Sequence, residues 1–243
     1  MATRDELLDG LGLWPVWRRR ADFWSPSSST TPVAEEQVPA TLRSNQTDDD
    51  DMRRMRIAAL SWQAFAADVD ACVACELCQS RNKSVPGVGD TQAHWLFVGE
   101  APGAEEDAKG EPFVGQAGRL LDNMLAALDL ARGRNVYIAN VLKCRPPNNR
   151  TPTPLEAEAC RPYLDRQIKL LAPKVIVALG KSAATTLLNV DASIASLRGR
   201  VHHYCGVPLV VTYHPAYLLR NLPDKAKAWE DLLFARRTLS ARA

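Results

Sequence analysis

Four short apolar runs, separated by stretches with helical spacing, most constrain how this chain folds. The runs are residues 95–98, 136–139, 175–179 and 209–212, and the helical stretches are residues 53–70, 118–130, 154–171, 182–188 and 224–240. Each run has the length of a buried strand. Strands that alternate with helices form a mostly parallel sheet covered on both faces. We therefore expect a three-layer α/β/α fold with a central four-stranded sheet, and a hairpin that joins residues 201–204 to the fourth strand.

Polar and glycine-rich loops follow three of these strands. Gly99 to Gly103 follow the first strand, in a long acidic loop that also carries Phe113; Asn140 closes the second, and His214 follows the fourth. In open α/β sheets, ligands bind in the crevice outside the carboxyl ends of the strands. This placement predicts a shared site. The alternatives are a solvated acidic loop and a structural histidine.

Four cysteines indicate a metal site. Cys72 and Cys75 form a CxxC pair, Cys144 follows the second strand, and Cys160 lies in the next helix. Without a visible secretory signal, we expect a cytoplasmic chain in which disulfides are rare. Four thiolates can hold a structural zinc or an iron–sulfur cluster. Cys78 also forms a CxxC with Cys75, so the spacing leaves the ligand set open, and scattered buried thiols remain the alternative.

The N-terminal region is expected to lie outside the main domain. Residues 1–24 can form a short helix that ends in a basic run, and this peptide resembles the N-terminal peptide of the psi subunit of bacterial clamp loaders. It is either a partner-docking element or a helix folded back on the domain. Residues 25–52 are rich in Ser, Thr, Pro and Asp, which predicts a disordered linker before a domain over residues 53–243.

The segment after His214 suggests contact with nucleic acid. Leu218 and Leu219 could form a wedge that enters a base stack, while Arg220, with Asn221 beside it, meets a phosphate. The alternative is the start of a helix whose leucines belong to the core. The net charge of +2 favours neither interpretation, and no apolar run is long enough to span a membrane.

Several motifs together resemble the family 4 uracil-DNA glycosylases. They are Gly99-Glu100-Ala101-Pro102-Gly103, the segment 110–115, the segment 140–147 and the segment 214–221, and the resemblance covers residues 72–243. It implies a uracil-DNA glycosylase-like fold. It also implies a [4Fe–4S] cluster whose ligands are Cys72, Cys75, Cys144 and Cys160, which leaves Cys78 as a non-ligand.

The resemblance further implies hydrolysis of the glycosidic bond of uracil in DNA, during base excision repair in the bacterial cytoplasm. The implied catalytic residues are Glu100, Asn140 and His214, and the implied base-binding residues also include Gly99, Ala101 and Phe113. The best-known uracil glycosylases carry an Asp at the position of Ala101, so here the water must be held by Glu100, by Asn140 or by backbone groups, and Glu100 is the favoured candidate.

The expected partners are uracil-containing DNA and a replication or repair protein that binds residues 1–24, with the chain itself a monomer. The alternatives are a glycosylase with a wider or different base preference and a non-catalytic, metal-stabilised DNA-binding module.

Overall fold

The structure is a computed structural model that describes the backbone of residues 40–241 and the side chains from residue 49 onward. The residues from Asn45 onward belong to one compact unit, and the fold below is that of this unit together with the start of the helix that leads into it. Residues 1–24, where a docking peptide is predicted, and residues 25–39 of the predicted linker lie outside the described residues.

The linker prediction is wrong over residues 40–52, because helix α1 spans Ala40–Ala59. Two acid–base pairs there have the helical i to i+4 spacing, Asp49 with Arg53 and Asp50 with Arg54. Such pairs stabilise a helix when the acid precedes the base. The composition of the aspartate run suggests disorder, but the arginines that follow it four residues later can stabilise a helix there.

The sheet has six strands rather than the predicted four. The strands are β1 (Val88–Gly89), β2 (Trp95–Gly99), β3 (Val136–Asn140), β4 (Val175–Leu179), β5 (His202–Tyr204) and β6 (Val207–Thr212), in the order β1-β3-β2-β4-β6-β5. The inner four are parallel, as predicted, and all but one of their residues are buried. The extra strands β1 and β5 are short and pair antiparallel at the two edges. The predicted hairpin is the pair β5–β6.

Helices cover both faces of this sheet. After α1 they are α2 (Trp62–Asp70), α3 (Leu77–Ser80), α4 (Ala104–Lys109), α5 (Gln116–Ala126), α6 (Pro154–Leu171), α7 (Lys181–Leu188), α8 (Ile194–Leu197), α9 (Pro215–Leu218) and α10 (Asp224–Ser240), with a 3₁₀ turn at Pro147–Asn149. One face packs on α6, α7 and α8, and the other on α5 and α10. The strands alternate their side chains between these two cores, which confirms the three-layer α/β/α prediction.

Helix α6 begins where the sequence predicts. Thr153 is its N-cap, and Thr153 and Glu156 bond each other's backbone N–H groups in a capping box, with Pro154 at the first helical position. This helix carries Cys160 and starts directly after the loop that leaves β3. Within residues 40–241, no helix has the length and apolar character required to cross a membrane.

Candidate active site

Loops from the carboxyl ends of β2, β3 and β6 enclose one cavity of about 530 Å³. Its lining includes Glu100, Ala101, Phe113, Asn140, Arg150, His214 and Arg220. Strands β2 and β3 are neighbours, and Gly99 pairs with Asn140 at their carboxyl ends. The cavity therefore brings Glu100 together with Asn140 and His214, which lie 40 and 114 residues further along the chain.

A buried lysine fixes the backbone of Asn140. The ammonium of Lys143 donates to the Asn140 carbonyl at 2.8 Å and to Gln167 Oε1 at 2.5 Å. Asn140 is only 2% exposed, and its side-chain oxygen Oδ1 has no hydrogen-bond partner among the described residues. A buried acceptor without a partner is costly, which indicates that the ligand of the cavity supplies the donor.

Gly99 is buried and does not itself line the cavity. A Cβ at this position would lie 2.7 Å from Phe113 Cζ and closer still to Asn140 Oδ1. We therefore expect Gly99 to act indirectly and not by contact with the base, because the absence of a side chain leaves room for Phe113 and Asn140. Ala101 lines the cavity and also packs against the cysteine cluster.

Phe113 forms one wall of the cavity and faces the imidazole of His214. The ring centroids are 5.5 Å apart and the rings are inclined by 30°. Phe113 has a φ of 56°, an uncommon backbone angle for a non-glycine residue. Arg132 holds this conformation, because its guanidinium donates to the carbonyls of Pro112 at 2.7 Å and Phe113 at 2.8 Å. No sequence motif marks Arg132 for this task.

His214 has a defined tautomer. Its Nδ1 accepts the backbone N–H of Ala216 at 3.1 Å, so the ring proton lies on Nε2. Burial lowers the pKa of His214 to about 4, against the opposing charge of Glu106. The ring is therefore neutral at physiological pH and offers one N–H donor.

The carboxylates of the acidic loop have distinct roles. Glu100 lies half-buried on the cavity wall. Burial raises the pKa of its carboxyl, and a hydrogen bond from Ser182 opposes that rise. Glu106 accepts the backbone N–H groups of Val114 at 2.9 Å and Gly103 at 3.2 Å, which joins the two ends of the loop. Asp107 is 1% exposed and accepts two bonds from Asn82. The alternative of a solvated acidic loop is therefore wrong for Glu106 and Asp107.

The predicted two-leucine wedge is wrong for Leu218. Leu218 is 1% exposed and packs in a core cluster with Tyr213 and Ala228. Its position in the single turn of α9 points it inward, so the alternative of a core leucine holds for this residue. Leu219 is 39% exposed, and Arg220 lines the cavity.

Asn221 uses one of the two N–H donors of its side-chain amide within the protein. Its side chain donates to the carbonyl of Tyr217 at 3.1 Å, which closes the turn after α9. The Tyr217 ring stacks on Tyr213 at 5.3 Å, and its hydroxyl donates to Asp224. These contacts fix the segment that presents Leu219 and Arg220.

Five cysteines line a second, small cavity on the other side of Ala101. They are Cys72, Cys75, Cys78, Cys144 and Cys160. Three of the sulfurs receive hydrogen bonds: Cys72 from Arg53, Cys144 from Arg81 at 3.0 Å, and Cys160 from the Lys143 backbone at 3.3 Å. Within the described part of the chain, no three His, Cys, Asp or Glu side chains are arranged to share a single metal ion. Cys205 is exposed, in the β5–β6 turn.

Comparison with known proteins identifies the family. Residues 86–233 match the family model of the uracil DNA glycosylase superfamily. Two proteins named type-4 uracil-DNA glycosylase, from Archaeoglobus fulgidus and Thermotoga maritima, are each 48% identical to this chain, over 65% of its length and 83% of their own. A type-5 uracil-DNA glycosylase from Pyrobaculum aerophilum is 32% identical over 57% of this chain and 68% of its own length. The chain therefore belongs to the uracil-DNA glycosylase superfamily, with the type-4 enzymes among its relatives.

Proposed function

We propose that this protein is a uracil-DNA glycosylase, which hydrolyses the bond between uracil and deoxyribose in DNA and leaves an abasic site for base excision repair. Its relatives are named for this activity. The observation that carries the proposal is the single cavity in which the Phe113 ring, the unpartnered Asn140 Oδ1 and the His214 donor meet. A planar base that has both a donor and an acceptor edge fits this set of groups.

Uracil within a duplex cannot reach such a cavity, so the nucleotide must leave the stack at a cost of a few kcal/mol. Leu219 is the candidate to fill the vacated space, because it is exposed beside the cavity while Leu218 is not. Arg220 lines the cavity and is the candidate for a phosphate contact. Asn221 supports the turn that carries both residues.

Phe113 and Asn140 divide the recognition of the base. Stacking on Phe113 contributes about 1–3 kcal/mol and does not distinguish among bases. Asn140 Oδ1 accepts N3–H of uracil, and the amide nitrogen donates to O4. Cytosine presents the opposite pattern, and each group left unpaired would cost about 1–3 kcal/mol.

His214 is the proposed catalytic donor. As the glycosidic bond breaks, negative charge collects on uracil, and the Nε2–H of a neutral imidazole can bond the O2 atom that carries it. A donor fixed in advance stabilises this developing charge more than it stabilises the neutral substrate. The backbone bond at Nδ1 supplies that fixed orientation.

Water must attack the developing sugar cation from the opposite side. Ala101 has no group that could hold it. Glu100 and Glu106 both line the cavity, but Glu106 already accepts the backbone N–H groups of Gly103 and Val114. We therefore assign to Glu100 the positioning of the water and the stabilisation of positive charge on the sugar. Burial raises the pKa of the Glu100 carboxyl, and a hydrogen bond from Ser182 opposes that rise.

The thiol-lined cavity fits the proposed [4Fe–4S] cluster. In such a cluster each thiolate binds a different iron, so the sulfurs need not converge on one point. Donors from Arg53, Arg81 and the Lys143 backbone to sulfur would stabilise thiolates. We propose Cys72, Cys75, Cys144 and Cys160 as ligands. When bound, the cluster would tie these segments together and supply no group to the glycosidic bond. The ligands flank the loop that carries Arg150.

Two further proposals concern partners. Residues 1–24 combine leucines, tryptophans and an arginine run, which suits docking to a replication or repair protein. We also propose that the chain acts at chromosomal DNA in the cytoplasm, and that it does so as a monomer, because one chain supplies every side chain proposed for base binding and catalysis.

The test is strand cleavage by alkali after incubation with a single-stranded oligonucleotide that contains one uracil. Cleavage at uracil, and none in the matching thymine strand, supports the proposal. Cleavage at hypoxanthine or other damaged bases at a similar rate would indicate the wider-specificity alternative. Tight binding without cleavage would instead support a non-catalytic module, and zinc without iron in the purified protein would exclude the cluster.

A further inference from the structure

The loop between β3 and α6 places an arginine on the cavity wall that the mechanism above does not use. Arg150 lines the same cavity as Glu100, Asn140 and His214. Its side chain is 42% exposed, so it is accessible to a ligand. It lies on a different loop from Arg220, so the cavity has one arginine in each of two separate walls.

The guanidinium of Arg150 is fixed by a two-pronged ion pair. Its two terminal nitrogens donate to the two carboxylate oxygens of Glu156 at 2.8 Å and 2.5 Å, and one of them also donates to the Thr151 carbonyl. Glu156 is itself only 10% exposed and accepts the Thr153 backbone N–H at 2.8 Å within the capping box. The Arg150 Nε has no acceptor within the described residues. Glu156 therefore orients the guanidinium and leaves part of its hydrogen-bonding edge available.

The backbone that presents Arg150 is also fixed. Asn148 and Asn149 both have left-handed φ angles, 54° and 55°, and Arg145 donates to the Asn149 side chain at 2.8 Å. The Arg150 N–H donates to the Pro147 carbonyl. The capping box at the start of α6 does not itself need this tight turn or an arginine on the cavity wall, so the turn is not explained by the helix alone.

We propose that Arg150 binds a DNA phosphate next to the extruded nucleotide, with Glu156 as the residue that positions it. This inference rests on the proposed function. A nucleotide that leaves the stack carries one phosphate on each side of its sugar, and arginines in two separate walls can contact both. Phosphate contacts of this kind position the strand and carry no information about the base.

The experiment measures KM and kcat for uracil excision from a single-stranded oligonucleotide at several KCl concentrations. Removing one phosphate contact to a single strand lowers the slope of log(kcat/KM) against log[salt] by about 0.7 in magnitude. We expect Arg150→Ala and Arg150→Met to show this change and to raise KM about tenfold at low salt with little change in kcat. Arg150→Met retains most of the side-chain volume, so it serves where the alanine variant fails to fold.

Two further variants separate positioning from a structural role. Glu156→Gln retains the arginine charge, so the salt slope should stay at the wild-type value while KM rises. Arg54→Ala removes an exposed arginine from an ion pair with Glu158, away from the cavity lining, and should change neither quantity. Unchanged KM and slope in the Arg150 variants, with only a lower melting temperature, would overturn the inference. A wild-type protein inactive on uracil DNA would instead refute the proposed function.

Discussion

Replacing Gly99 by alanine tests whether Asn140 and Phe113 must keep their observed positions. The added Cβ would lie 2.7 Å from Phe113 Cζ and closer to Asn140 Oδ1, so both recognition groups must shift. Overpacking of this kind costs about 1–3 kcal/mol of folding stability. Displacing the Asn140 amide loses a further interaction with uracil of about 1–3 kcal/mol, which corresponds to a fall in kcat/KM of roughly 5- to 150-fold.

The assay is single-turnover excision of uracil from a labelled oligonucleotide, with thermal unfolding measured in parallel. Gly133→Ala is the matched control, because a Cβ there meets no atom within 4 Å but still pays for a positive φ of 78°. Both variants should lose stability, and only the Gly99 variant should lose activity. A Gly99→Ala protein with wild-type kcat/KM would refute the assignment of Asn140 and Phe113 to base recognition.

Three other experiments test separate parts of the account. Between pH 7 and pH 5, the free energy of unfolding of the wild type should fall by about 2 kcal/mol more than that of His214→Gln. The reason is that the pKa of His214 is about 4 in the folded protein and 6.5 in the unfolded chain, so the unfolded chain binds the proton first. Chemical denaturation measures both proteins, and equal losses would contradict this. Cys72→Ser should lose the brown colour and iron of the purified protein, whereas Cys78→Ser should retain both, and the reverse result would reassign the ligands. Leu218→Ala should lower the free energy of unfolding by about 2–5 kcal/mol, because this leucine is buried. Leu219→Ala should leave the melting temperature unchanged and lower activity on duplex DNA more than on single strands. Similar losses of activity on both substrates would exclude a wedge at Leu219.

Local patterns were sufficient to predict the central layers of the fold. The four inner strands are short, buried on both faces and rich in Val, Ile and Leu, so they stand out from the helices between them. The start of α6 carries an N-cap threonine and a proline at the first turn, signals that depend only on neighbouring residues. The edge strand β1 has two residues, too few for a periodic pattern, whereas the edge strand β5 was predicted as one arm of the hairpin with β6.

The candidate site was predictable where a residue's place in the topology fixes it. Asn140 is the last residue of β3 and His214 lies two residues after β6, and the carboxyl ends of these parallel strands meet at the same edge of the sheet. The orientation of Leu218 and Leu219 was not predictable, because one turn of helix decides which of two adjacent leucines faces the core. The roles of Arg132 and Glu156 also depend on long-range or turn geometry that no local pattern specifies.

The central claim is that three loops form one cavity for an extruded uracil. A crystal structure of the protein with bound uracil tests it most directly. We predict that the base lies parallel to the Phe113 ring, with N3–H bonded to Asn140 Oδ1 and O2 bonded to His214 Nε2. Uracil bound elsewhere, or bound in this cavity beyond hydrogen-bond distance of both side chains, would contradict the account.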